Sequence, residues 1–207
     1  MPSDLYKNKY RIASARAPWW NYGWNAPYFI TICTKNREHF FGEIRDRKMH
    51  LSEIGAIAQL CWHEIPVHFP FVHLDAFVVM PNHIHGIVVI DKPEMAGGDV
   101  EKMGSVHDVE TLHATSLQTA SFETLSDAKN EKMANISPKW GSLASVVRSY
   151  KSAVTQQSRI THASFAWQAR YHDHIIRDDK SYQAISHYIR TNPENWEEDK
   201  FYGPGGN

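Results

Sequence analysis

The sequence is poor in cysteine, in long apolar runs and in net charge. Its 207 residues contain only two cysteines, Cys33 and Cys61, and neither belongs to a Cys-x-x-Cys pair. This excludes a disulfide framework or a cysteine zinc site, so we expect both thiols to be reduced packing residues. No stretch has membrane-spanning length and no signal segment opens the chain, which predicts a cytoplasmic protein without a membrane partner. The net charge of -1 does not by itself indicate a nucleic-acid partner.

The charge is unevenly distributed along the chain. Residues 91–139 contain nine acidic residues and five lysines, a net charge of -4, with one aromatic residue among many small and polar ones. This composition predicts a weakly structured acidic insertion at 91–139 within one domain that spans 1–207.

The apolar periodicity predicts an α+β domain. Alternating and β-branched runs predict strands at 26–36, 71–80, 83–90 and 165–177, with a short strand pair within 39–52. Helical spacing predicts helices at 52–66, 142–158 and 178–193, with Ser52 and Asp178 as N-caps and Pro66 and Pro193 as stops. The order gives a ferredoxin-like βαββαβ antiparallel sheet with helices on one face and an extra C-terminal helix.

Two histidines interrupt the apolar strand that follows the turn at Pro81-Asn82. In a strand, His83 and His85 project from the same face, where two imidazoles can share a divalent metal ion. The spacing alone decides little, because the chain has thirteen histidines and a second pair, His172 and His174. Buried histidines bonded to backbone carbonyls remain the alternative.

Several blocks of the chain resemble the REP-associated tyrosine transposases. These are single-tyrosine transposases of the HUH endonuclease superfamily, named for a His-hydrophobic-His motif like that in "VVMPNHIHGIV". The blocks are "YFITICTKNREHFFGEI" (28–44), "LDAFVVMPNHIHGIVV" (74–89), "WQARYHDHIIRD" (167–178) and "YIRTNP" (188–193). They occur in the family's order, and the family fold is the ferredoxin-like sheet. The acidic insertion departs from the family, which closes this gap with a shorter loop.

The resemblance implies a metal-dependent transposase that cuts and rejoins single-stranded DNA beside hairpins of REP-like repeats. A tyrosine would attack the phosphate, become linked to its 5′ side and release a 3′-OH, with Mg²⁺ or Mn²⁺ as cofactor. The covalent ester conserves the bond energy for rejoining. The implied protein is nucleoid-associated and a monomer or homodimer. The alternative is a non-catalytic, domesticated hairpin-binding protein of the same fold.

Three tyrosines are candidates for the nucleophile. Tyr150 lies in the apolar stripe of its helix, which indicates core packing, and Tyr171 is placed to stack on a base. Tyr188 matches the family's nucleophile in "YIRTNP". Asn192, one helical turn later, would complete the metal site with His83 and His85. Helix capping is the alternative for Asn192, and core packing the alternative for Tyr188.

An N-terminal arm, residues 1–26, interleaves cations with aromatic rings, a pattern that suits single-stranded DNA. The resemblance gives this arm a role in recognising a short sequence beside the hairpin, whereas packing of the tryptophans on the sheet edge is the alternative. The residues expected to contact DNA are Lys7, Lys9, Arg11, Arg16, Trp19, Trp24, Arg148, Lys151, Arg170, Tyr171 and His174.

Overall fold

The chain folds around one four-stranded antiparallel sheet. The computed structural model describes residues 19–93 and 138–203. The strands are β1 (Ala26–Cys33), β4 (Val72–Met80), β5 (His83–Ile90) and β6 (His172–Ile175), in the spatial order β4-β5-β1-β6. A separate hairpin, β2 (Gly42–Arg45) with β3 (Lys48–Leu51), follows β1. This is the predicted ferredoxin-like arrangement, with every neighbouring pair antiparallel.

The helices lie on both faces of the sheet. They are α1 (Glu53–His63), the short α2 (Ile65–His68), α3 (Leu143–Thr161) and α4 (Asp179–Thr191), followed by a 3₁₀ segment, Asn192–Glu198. The main core packs α1 and α3 against one face. The extra C-terminal helix α4 packs on the opposite face, mainly against β4. The side chains of Ser52 and Asp178 cap α1 and α4 as predicted.

Several predicted boundaries are wrong, and the first strand ends at Cys33 instead of at residue 36. Pro66 does not stop α1, which ends at His63; it occupies the first turn of α2, where its missing N–H costs nothing. The strand predicted at 165–177 covers only His172–Ile175. Its first half is irregular because Phe165 packs into the core and Arg170 takes a positive φ of 68°. Cys33 and Cys61 are both free thiols.

Most of the acidic insertion, 94–137, and most of the N-terminal arm, 1–18, lie outside the described residues. Within the described ranges, no helix is long and apolar enough to cross a membrane.

The two ends of the insertion come close to one another at Phe71. The Phe71 carbonyl accepts a hydrogen bond from the Asp91 amide at 2.8 Å, and its ring packs against Trp140 at 5.0 Å. We therefore expect that replacing residues 94–137 by about six Gly and Ser residues will leave the melting temperature unchanged or a few degrees higher. The shorter loop lowers the entropic free-energy cost of bringing the two loop ends together by roughly 2 kcal/mol. Circular dichroism melts test this, and a variant that no longer folds would show that the segment contributes to the core.

Gly86 lies in the middle of β5, between His85 and Ile87, and faces the α1 side. The Trp62 ring stacks on Phe77 at 4.4 Å and fills the space beside Gly86, so that a Cβ added there would overlap the indole. We expect Gly86→Ala to lower the free energy of unfolding by about 1–3 kcal/mol, the usual range for overpacking a core. Chemical denaturation measures it. In a Trp62→Leu background the same change should cost much less, and an equal cost in both backgrounds would refute the steric explanation.

Candidate functional site

The candidate site is centred on the two histidines of β5. His83 and His85 point to the α4 side of the sheet, whereas Ile84 between them is buried in the main core. Both imidazoles are buried, with 0 % and 1 % of their surface exposed. The strand geometry therefore places them side by side, as the sequence predicts.

The two imidazoles present their Nε2 atoms to one another. These nitrogens are 3.0 Å apart, while the Nδ1 atoms point away to polar partners. Asn82 Oδ1 is 2.8 Å from His83 Nδ1, and Thr31 Oγ1 is 2.8 Å from His85 Nδ1. The Asn82 amide also donates from Nδ2 to the Phe201 carbonyl, which fixes its oxygen toward His83. His83 Nδ1 consequently carries the hydrogen, and the lone pair of its Nε2 faces into the site.

Burial keeps both rings neutral. Desolvation lowers the pKa of His85 to about 3, and it also lowers the pKa of His83 well below its usual value. The neighbouring His85 and the cations of Lys200 and Arg37 act on His83 in the same direction. Neutral imidazoles, which can each offer an Nε2 lone pair, are the form that binds a metal ion.

A carboxylate joins the histidines from the C-terminal end of the chain. Donor atoms of His83, His85 and Asp199 all lie within 4.8 Å of one another, so the three residues could hold a metal ion. Two nitrogens and a carboxylate oxygen make a mixed donor set that accepts divalent metals. The sequence reasoning missed Asp199 because it follows two other acids in "WEEDKF", where nothing distinguishes it.

Tyr188 and Asn192 reach the same carboxylate from the end of α4. The Tyr188 hydroxyl is 3.2 Å from His85 Nε2 and donates to Asp199 Oδ2 at 3.1 Å. Asn192 donates from Nδ2 to the same oxygen at 2.9 Å. Its buried Oδ1 has no hydrogen-bond partner in the described part of the chain, which leaves an acceptor free at the site. Metal ligation by Asn192 stays a prediction, since its observed role is to hold Asp199.

The C-terminal segment covers the histidines. The Phe201 ring lies 4.5 Å from that of His83, and the Phe201 amide donates to Asp199 Oδ1 at 2.7 Å. The guanidinium of Arg37 and the ammonium of Lys200 lie 5.0 Å and 4.8 Å from the same ring. The site is therefore enclosed by an aromatic ring with two cations beside it.

The other two candidate tyrosines lie elsewhere. Tyr150 is buried in the main core and donates to the Ala58 carbonyl at 3.0 Å, which fits the packing role predicted for it. Tyr171 is partly buried against the same core, at the start of β6. Of the three candidates, only Tyr188 has its hydroxyl beside the histidines.

Among the residues predicted to contact DNA, His174, Trp19 and Trp24 are exposed. The register pairs Phe29 of β1 with His174, and the Phe29 ring packs edge-on to Tyr188 at 6.3 Å. Trp19 and Trp24 are exposed, with Arg177 5.0 Å from the Trp19 ring. Lys7, Lys9, Arg11 and Arg16 lie outside the described residues.

The remaining residues that were predicted to contact DNA do not lie beside the two histidines. Arg148 is exposed on α3, the helix that packs on the opposite face of the sheet. Lys151 donates to the carbonyls of Gln168 and Arg170 at 2.8 and 3.2 Å, so it holds the loop before β6. A role for these residues in DNA binding stays a prediction.

A comparison with known proteins identifies a relative over most of the chain. A Haemophilus influenzae protein described as uncharacterized is 38 % identical over 192 residues, covering 91 % of this chain and 92 % of that protein. No family model matches the chain.

Among solved structures, a REP-associated tyrosine transposase bound to a REP hairpin superimposes with a TM-score of 0.51 at 16 % identity, over 89 % of this chain and 77 % of the other. A putative transposase of Deinococcus radiodurans gives a TM-score of 0.38 at 11 % identity, over 84 % and 95 %, a similarity too low to carry an argument. At these identities the likeness to the first structure shows a transposase-like fold.

Proposed function

Because this chain belongs to the same family as the uncharacterized Haemophilus influenzae protein and has a transposase-like fold, we propose that it is a transposase acting on single-stranded DNA. Its substrate would be DNA with hairpin-forming, REP-like repeats, and its intermediate a 5′-phosphotyrosine ester. One observation carries the proposal: the Tyr188 hydroxyl lies 3.2 Å from His85 Nε2, at the edge of the His83, His85 and Asp199 group.

The residues of the site fit a divalent cation, Mg²⁺ or Mn²⁺ in our proposal. His83, His85 and Asp199 would hold it, and the unpartnered Asn192 Oδ1 offers a further oxygen. A bound divalent cation neutralises phosphate oxygens and favours the ionised form of a nearby hydroxyl. Thr31 and Asn82 fix the two rings by their hydrogen bonds to Nδ1, an arrangement typical of histidine ligands.

Tyr188 is the nucleophile in this proposal. Its oxygen forms a bond to the phosphorus, the bond from phosphorus to the 3′ oxygen breaks, and that oxygen leaves to become a 3′-OH by taking up a proton. The phenolic proton passes to Asp199 Oδ2, to which it is already hydrogen-bonded. The reverse step, attack by a 3′-OH on the ester, rejoins strands without another energy source.

Burial and the neighbouring Asp199 carboxylate raise the pKa of Tyr188. The hydroxyl is therefore protonated at neutral pH, and attack on a phosphate requires that its proton be accepted. The position of Asp199 meets this need directly. Access of a phosphate to the site also requires displacement of the Phe201 ring, which now covers His83.

Exposed side chains of the described residues supply features that suit single-stranded DNA. The exposed rings of Trp19 and Trp24, with Arg177 against the first, offer stacking faces beside a cation. His174 is exposed on β6 beside Phe29, whose ring packs against Tyr188, and it could donate to a phosphate. We propose that the chain acts in the cytoplasm at the nucleoid, as a monomer or homodimer.

A cleavage assay tests the proposed function. The full chain is incubated with a single-stranded hairpin oligonucleotide from the host's repeats, with Mn²⁺, Mg²⁺ or EDTA. We expect a protein-DNA adduct by intact mass spectrometry with a divalent cation and none with EDTA. Tight hairpin binding without any adduct would instead identify a binding protein of the same fold.

A further inference from the structure

A shallow cavity lies on the side of α4 that faces the edge strand β4. It has a volume of about 230 Å³. Six side chains line it, all from β4 and α4: Asp75, Tyr182, Gln183, Ser186, His187 and Arg190. None of them belongs to the histidine site described above.

Asp75 reaches this cavity at a β-bulge. The register between β4 and β5 shifts between Leu74 and Phe77, so that both Asp75 and Ala76 lie opposite Ile87. The Tyr182 hydroxyl donates to one Asp75 oxygen at 2.5 Å, and the Arg190 guanidinium is 3.5 Å from the other. Each carboxylate oxygen has two lone pairs, so the fixed carboxylate can accept further hydrogen bonds from a ligand.

Ser186 gives independent evidence for a ligand. Its side chain lines the cavity and is 95 % buried, being only 5 % exposed. Its Oγ has no hydrogen-bond partner among residues 19–93 and 138–203. Because a buried hydroxyl without a partner is unfavourable, this atom calls for a polar group inside the cavity.

We propose that this cavity binds an unstacked guanine of the DNA strand whose phosphate lies at Tyr188. The proposal deepens the proposed function and rests on it. A guanine offers two adjacent donors, N1–H and the N2 amino group, on its Watson-Crick edge, and these match the two oxygens of a carboxylate. Thymine has a single N–H between two carbonyls and cannot make this pair.

The other side chains of the cavity complement this ligand. Gln183 is exposed at the rim, where its amide nitrogen can donate to the O6 of the base while Asp75 pairs with N1–H and N2. His187 and Arg190 are exposed beside it, where their ring and guanidinium nitrogens can donate to a phosphate. The base edges of single-stranded nucleic acid are open to such readout.

The position on α4 brings the cavity within one nucleotide of the proposed nucleophile. His187 immediately precedes Tyr188, and Arg190 follows two residues later. With a rise of about 1.5 Å per residue, these side chains leave the helix within about 5 Å of one another along its axis. A strand that crosses α4 at Tyr188 can therefore place a flanking base over β4.

The test measures binding with EDTA present, so that no cleavage occurs. The full chain is titrated with fluorescent single-stranded thymine tracts that carry no guanine or one central guanine. We expect the guanine-containing strand to bind about tenfold more tightly, the size of one good base contact. Asp75→Asn and Gln183→Ala should each reduce this ratio toward one and leave affinity for the all-thymine strand unchanged.

Gln157→Ala, an exposed glutamine on α3, is the matched control and should keep the preference. As a second readout, deoxyguanosine 5′-monophosphate should shift the side-chain amide signal of Gln183 and the backbone amide of Ser186 in NMR spectra, whereas thymidine 5′-monophosphate should not. Equal affinity for both strands, a preference that survives Asp75→Asn and Gln183→Ala, or shifts confined to other residues would overturn the proposal.

The adduct assay separates this proposal from the proposed function. An adduct at Tyr188 without a guanine preference would refute guanine binding in the cavity and leave the proposed function standing. A guanine preference that depends on Asp75, in a chain that never forms an adduct, would refute the nucleophile and leave the cavity as a base-binding site.

Discussion

Tyr188→Phe is expected to abolish the protein-DNA adduct and to reduce cleavage by at least about 10³-fold, because the phenolic oxygen is the atom that bonds to phosphorus. The ring keeps its contacts with Phe29 and His85. Only the hydrogen bond to Asp199 and the contact with His85 Nε2 are lost, so the free energy of unfolding should fall by no more than about 1.5 kcal/mol. Intact mass spectrometry after incubation with hairpin DNA and Mn²⁺ measures the adduct.

Tyr150→Phe and Tyr171→Phe are the matched controls, since each removes one hydroxyl outside the histidine site. Both should retain the adduct, with Tyr150→Phe less stable because its hydroxyl is bonded in the core. Peptide mapping locates the modified residue. An adduct on Tyr171, or an undiminished adduct in Tyr188→Phe, would disprove the assignment.

His83→Ala should have the second large effect. It removes one of the two nitrogens that converge at 3.0 Å, and with it part of the set that would hold the cation. We expect Mn²⁺ binding to be lost and adduct formation to fall at least about 10²-fold. Affinity for hairpin DNA in EDTA should stay within about threefold, because phosphate and base contacts elsewhere determine it. Electron paramagnetic resonance measures free Mn²⁺, and fluorescence anisotropy measures DNA binding.

His73→Ala is the control for this change. His73 is exposed on the neighbouring strand β4, and its only described partner is Asp91 at 4.0 Å. This variant should bind Mn²⁺ and form adduct like the unmodified chain. Full adduct formation by a folded His83→Ala variant would refute a role for the histidine pair in the reaction.

The central part of the fold follows from local patterns in the sequence. The alternation in β1 and β5 fixes which side chains face α4, and the register between them then sets Thr31 beside His85. Ser52 and Asp178 mark helix starts because their side chains bond to main-chain amides three residues later. These features depend on residues that are close in the sequence, and the sequence pattern therefore predicts them.

The features that the sequence does not predict depend on contacts between residues far apart in the chain. Asp199 is an ordinary acid in the sequence and becomes part of the site only because the segment after α4 returns across the sheet to His83. The aromatic residues at 165–167 have strand propensity, yet Phe165 and Trp167 pack on Phe41 in irregular backbone. The hydrophobic periodicity of the sequence predicts neither of these two features.

Five of the seven tryptophans are either solvent-accessible or shielded, and this contrast gives the protein an optical reporter. Trp19, Trp24 and Trp140 are 62 %, 51 % and 62 % exposed, whereas Trp62 and Trp196 are 1 % and 6 % exposed. Iodide in solution should quench the emission of the first group and spare the second. If DNA stacks on Trp19 and Trp24, it should protect part of that emission from iodide. Shielded emission from Trp62 and Trp196 then serves as an internal standard for the folded state in the same cuvette.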